Sequence, residues 1–164
     1  MDESQLGLKS TPRGTLITTR IIWGALLAGQ IGFLFVILVI WSQEDAAAVE
    51  HSEDVAQIVG YVAIAMLVVL TPIGYFIRSQ VYKANWQGDV VKPLGYARGN
   101  IILLAMLEGT AFFGLIGTLI ERSFSSLPFV VAVIAMAIQV INFPNGRPMF
   151  EQREVDTTYD RGER

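Results

Sequence analysis

The chain has 164 residues, 52% of them hydrophobic and 16% charged, with a mean hydropathy of +0.48 and a net charge of −3. Soluble domains carry roughly 25% charged residues, and here the apolar residues stand in blocks rather than at amphipathic spacing, so lipid is the expected solvent. No basic patch with interleaved aromatics points to nucleic acid; the absence of cysteine excludes disulfides, thiolate metal sites and thiol nucleophiles, and a single histidine, His51, in an acidic loop excludes a His-rich metal site.

Residues 1–16 read as a polar tail. The first apolar run covers residues 21–41 and ends in Trp41. It is longer than the roughly 7–15 residues of a signal-peptide core, so it reads as a retained span although Ala46, Ala47 and Ala48 mimic a cleavage site. The second run covers 55–77 and contains Pro72, which removes a backbone donor and predicts a kink. The third covers 101–120 and the fourth 127–143. Pro144 and the Asn145-Gly146 turn then end the helical pattern, and residues 144–164 read as a polar, disordered tail.

A helix crosses the hydrocarbon core with about 20 residues, range 17–25, and only helices or closed barrels satisfy the backbone in lipid. None of the runs alternates polar and apolar residues. The expectation is an all-α polytopic membrane protein with transmembrane helices at about 17–42, 55–78, 99–121 and 126–143. Short connections predict an antiparallel bundle of sequence neighbours.

Orientation follows lysine and arginine. Lys9, Arg13 and Arg20 precede span one; Arg78, Lys83, Lys92 and Arg98 join spans two and three; Arg147, Arg153, Arg161 and Arg164 follow span four. The loop 42–54 has only acidic charges, and the loop 121–126 has only Arg122 as a cation. Both termini are therefore expected in the cytoplasm, with the chain in the inner (cytoplasmic) membrane. Tyr75, Tyr82, Trp86 and Tyr96 read as interfacial belt aromatics.

Shifting the chain by 80 residues aligns span one with span three at 7 of 20 positions, including Ala25 with Ala105, Gly29 with Gly109 and Phe33 with Phe113. A shift of 70 sets Ile64-Ala65-Met66 on Ile134-Ala135-Met136. A duplicated helical hairpin would give this pattern; similar composition without ancestry is the alternative.

Glu108 is the only charged residue inside any apolar run. At the bilayer centre a charge costs about 2.5–3.5 kcal/mol on insertion scales, and such residues are rarely idle. No cation lies within a span, so the candidate partners are neutral: Gln30, Tyr61 and Gln139, with Thr71 and Asn142 further candidates. Burial among neutral groups favours the acid over the carboxylate. Gly24, Ala28, Gly29 and Gly32 on span one, with Ala105 and Gly109 on span three, read as small-residue rows that let the two helices approach closely.

The stretch around Leu107-Glu108-Gly109 and Phe113-Gly114-Leu115-Ile116 resembles the carboxylate helix of rotary ATPase proteolipid (c) subunits. That likeness implies proton or cation binding at Glu108. The family's Gly-rich partner helix and polar loop are absent from span two and residues 79–98. Across more of the chain, Arg20-Ile21-Ile22-Trp23-Gly24, Tyr96-Ala97-Arg98-Gly99-Asn100-Ile101 and Asn142-Phe143-Pro144 resemble small four-span membrane proteins of bacteria, which implies a topology and no activity.

The spans hold no His, Cys, paired carboxylates or nucleophile with a nearby base, so no enzyme, cofactor or metal is expected. Two functions stand: a scaffold or accessory subunit binding other membrane subunits or itself within the bilayer, or a proton- or cation-handling protein using Glu108.

Overall fold

A computed structural model describes residues 11–43 and 53–150. The polar segment 1–10, the acidic loop with His51 and the segment 151–164 lie outside the described residues. Three helices are long and apolar enough to cross a membrane: α1 (Pro12–Gln43), α2 (Glu53–Ala84) and α3 (Pro93–Glu121). A fourth, α4 (Leu127–Ile141), is apolar but has only 15 residues. That is about 22 Å of helix, against about 30 Å of hydrocarbon. A short hairpin of β1 (Trp86–Gln87) and β2 (Val90–Val91) joins α2 to α3, and one helical turn, α5 (Arg147–Phe150), follows α4.

Sequence explains most ends. Pro93 starts α3, where its missing donor costs nothing. Arg122 closes α3 in the left-handed conformation, its N–H donating to the Thr118 carbonyl. Ser126 caps α4 by accepting from Phe129 N, with Pro128 in the first turn. Gly88, at φ +61, makes the tight turn of the β-hairpin, and Lys92 N–H donates to Asn85 O to close it.

α3 lies at the centre. Half of its apolar window is buried inside the protein, against 11% for α1. It packs on α2, α4 and α1. Close backbone approaches mark two of these interfaces. A Cβ on Gly74 of α2 would reach within 2.9 Å of Leu103. A Cβ on Gly114 would come within 2.6 Å of the Pro128 carbonyl, and one on Gly117 within 2.6 Å of Pro128 and 2.7 Å of Val59. These pairings run in opposite chain directions, so α2 and α4 are antiparallel to α3. α1 lies along α3 and α4, with Ile37 buried against Leu115 and Ala132.

Four expectations are corrected. The helices outrun the apolar segments at the basic end: α1 begins at Pro12, inside the expected tail, and α2 continues to Ala84. Residues 144–150 are not a loose tail, because Met149 is buried with Tyr82, Val91 and Tyr96. α1 packs on α3 rather than chiefly on α2, so the first two helices do not form a packed hairpin like α3 and α4. Sequence adjacency was the wrong guide: α3, with small residues on several faces, takes neighbours on three sides. Finally, α4 is shorter than the expected 126–143, because Asn142 ends it. Across Pro72, α2 remains one continuous helix.

Candidate functional site

Glu108 sits on α3 at the edge of an outward stripe. Ile101, Ala105, Gly109, Ile116 and Ile120 are exposed along it, and Glu108 and Phe112 are half-buried. Leu104, Ala111 and Leu115 turn into the core. One turn beyond Glu108, Phe112 meets α1 through an edge contact with Phe33, ring centroids 5.6 Å apart. The carboxyl therefore lies beside the α1–α3 seam and is not enclosed by it. Among the described residues, none of the hydrogen bonds involves Glu108.

Most of its expected polar partners are engaged elsewhere. Gln30 Nε2 donates to Gln139 Oε1 at 2.7 Å, linking α1 to α4, and both side chains are fully buried. Trp23 Nε1 donates to the Gln139 carbonyl at 2.9 Å in the same seam. Tyr61 is exposed and accepts from Gln57 on its own helix. Thr71 Oγ1 is buried without a hydrogen-bond partner, as are Gln30 Oε1 and Gln139 Nε2. Asn142 is used at the far end of α4.

The small-residue rows also fall differently from expectation. A Cβ on Gly24, Gly32 or Gly109 would meet nothing within 4 Å, and one on Gly29 only Phe112 at 3.8 Å. Ala28 and Ala105 are exposed. These residues do not mark a tight α1–α3 approach; they form smooth outward faces. Tight helix approaches are found instead at Gly74, where Leu103 of α3 presses, and at Gly114 and Gly117, where the Pro128 turn of α4 and Val59 of α2 press.

A second constellation, missed as a unit in the sequence, gathers at the basic end. Arg20 Nε donates to Pro144 O at 3.0 Å, and its guanidinium lies over the Phe143 ring, 5.1 Å from the centroid. Arg78 Nη1 donates to Asn142 Oδ1 at 3.0 Å and stacks over Tyr82 at 5.4 Å. Asn142 Nδ2 donates to Tyr75 Oη and to the Ile138 carbonyl. Asn100 Nδ2 donates to Tyr82 Oη at 2.7 Å and to Tyr96 O at 2.8 Å, and Gly146 N–H donates to Tyr96 Oη at 3.0 Å. Every helix of the bundle contributes. The signal available in the sequence was the coincidence of Arg20, Arg78, Asn100 and Asn142 at the same end of four apolar runs.

Two hollows flank this network. A cleft of about 510 Å³ runs along α2 between Tyr75, Arg78, Ser79, Tyr82, Lys83 and Trp86. A smaller one of about 240 Å³ lies between Arg78, Asn100, Asn142 and Arg147. Arg78 borders both.

Compared with protein-family models, with curated proteins and with solved structures, the chain matches none.

Proposed function

We propose that the chain is a small accessory subunit of a membrane protein complex, docking onto a partner's transmembrane helix through the outward face of α3 around Glu108. The observation that carries this reading is the position of Glu108: half-exposed on the outside of the bundle, with no hydrogen bond to any described residue. In hydrocarbon such a group is costly. A partner helix offering a hydrogen-bonding side chain relieves that cost, and the small Ala105 and Gly109 beside Glu108 leave room for its backbone. An ion site within one chain is supported less well, because Gln30, Gln139 and Tyr61 bond to other groups.

In this reading the chain crosses four times, and the Lys and Arg distribution supports a cytoplasmic position for both ends of the described chain and the β-hairpin. The short α4 crosses with local bilayer thinning.

Photo-crosslinking residues placed at Ala105 and Gly109 test the reading in native membranes. Crosslinks to another membrane protein are expected from both positions, and few from Val68, an exposed residue of α2. Glu108→Leu is expected to reduce them at unchanged protein level. Crosslinks confined to a second copy would make the chain a self-associating scaffold instead. Proton or sodium flux in liposomes that is abolished by Glu108→Gln, without loss of assembly, would overturn the docking reading in favour of ion handling.

A further inference from the structure

We propose that the cleft along the basic end of α2 binds the headgroup phosphate of an anionic phospholipid. The cleft of about 510 Å³ is bordered by Arg78, Ser79 and Lys83, with Tyr75, Tyr82 and Trp86 as walls. Residues 75, 79 and 82 recur at helical spacing, so one side of α2 forms its floor, and the β-hairpin brings Trp86 over its far end.

Its charge is uncompensated. Arg78 is held by the neutral Asn142 and by the Tyr82 ring, and among the described residues neither Arg78 nor Lys83 pairs with a carboxylate. The bond to Asn142 uses one of the five guanidinium N–H groups, which leaves donors for a second acceptor. Asn142, Tyr75 and Tyr82 fix the orientation of Arg78 beforehand, so little side-chain freedom remains to be lost on binding. Two cations, a hydroxyl and aromatic walls match a phosphate oxygen cluster with its glycerol linkage.

A lipid rather than a soluble phosphate fits the position. Arg78 directly follows the apolar run of α2, and Ile73 and Phe76, which precede Arg78 on that helix, are exposed and apolar, as acyl chains require. Basic pockets at the cytoplasmic ends of transmembrane helices commonly take anionic headgroups. The inference goes beyond the docking face at Glu108 and rests only on the membrane placement of α2.

Native mass spectrometry of the purified full chain, titrated with phosphatidylglycerol, phosphatidic acid or phosphatidylcholine, tests it. Wild type is expected to retain the two anionic lipids at least tenfold better than phosphatidylcholine. Lys83→Gln, which leaves the Arg78–Asn142 bond in place, is expected to weaken that retention about fivefold. Lys92→Gln, outside the cleft, is expected to leave it unchanged. Equal retention of all three lipids, or equal loss in the two variants, would overturn the proposal. Displacement of bound lipid by millimolar glycerol 3-phosphate would also overturn it, assigning the cleft to a soluble phosphate. Failure of the chain to enter liposomes would instead defeat the membrane reading. Crosslinking from Ala105 is expected to be indifferent to Lys83→Gln, so the lipid site and the docking face fail separately.

Discussion

At the scale of single residues, the buried amide pair decides more than the lone carboxyl. Gln30 and Gln139 share one hydrogen bond of 2.7 Å, while Gln30 Oε1 and Gln139 Nε2 stay buried and unpartnered. Interhelical hydrogen bonds inside membrane proteins average about 0.6 kcal/mol, with a maximum near 1.7. Removing one partner leaves a further buried polar group unmet, whereas removing both replaces four polar atoms by hydrocarbon. Gln139→Leu alone is therefore expected to destabilise the protein by about 0.6–1.7 kcal/mol. Gln30→Leu added to it should restore stability to wild type or above, read from unfolding in mixed micelles. A double variant weaker than either single would show that the pair holds α1 in place in a way packing cannot replace. Glu108 lacks such a partner among the described residues, so its substitution is expected to be felt in assembly rather than in the fold of one chain.

At the scale of helices, two kinds of glycine separate. Gly114 and Gly117 face Pro128 at distances no Cβ tolerates, 2.6 Å in each case. Gly109 faces open space. Gly114→Ala is expected to cost about 1–3 kcal/mol through overpacking. Gly109→Ala should be neutral or stabilising by up to about 1 kcal/mol through helix propensity, measured by thermal unfolding in detergent. The sequence made the helices legible because apolar runs of this length have few other solutions. It could not say which glycines face a neighbour, since Gly24, Gly32 and Gly109 have the same spacing as a packing motif. The repeat shows the same limit. Ala25 and Ala105, Gly29 and Gly109, and Ile21 and Ile101 are exposed on both helices, so the alignment captured their facing. It did not capture the packing, because α3 is central and α1 peripheral. The buried Met149 escaped sequence reading for another reason: its burial comes from contacts with Tyr82 and Tyr96, distant in the chain; the hairpin at 86–91 has strands of two residues each, too short to show an alternating pattern.

At the scale of the whole molecule, the asymmetry of the two ends stands out. One end holds arginines, asparagines and tyrosines joined by hydrogen bonds and cation–π contacts; the other has aromatic contacts, Trp41 on Phe124 at 4.7 Å and Phe124 on Phe129 at 5.0 Å. Because the chain has no cysteine, its orientation can be read without a background of native thiols. Asp89→Cys in the β-hairpin is expected to react with an impermeant maleimide only after the cytoplasmic side is opened. Ser125→Cys is expected to react from the outside of intact cells. The reverse pattern would invert the topology and move the basic network to the external face.

The latch between α1 and the end of α4 bears on how the protein is made. Arg20, Trp23 and Gln30 all hydrogen-bond to Gln139 or Pro144, partners 109–124 residues later in the chain. At a synthesis rate of about 5–20 residues per second, α1 emerges several seconds before any of these acceptors exists. During that interval α1 lacks these bonds and has α3 as its packing partner once that helix is made. The end of α4 thus supplies the bonds that hold α1, so a partner that assembles before α4 is made is expected to meet an α1 without them, and a later one to meet the closed bundle.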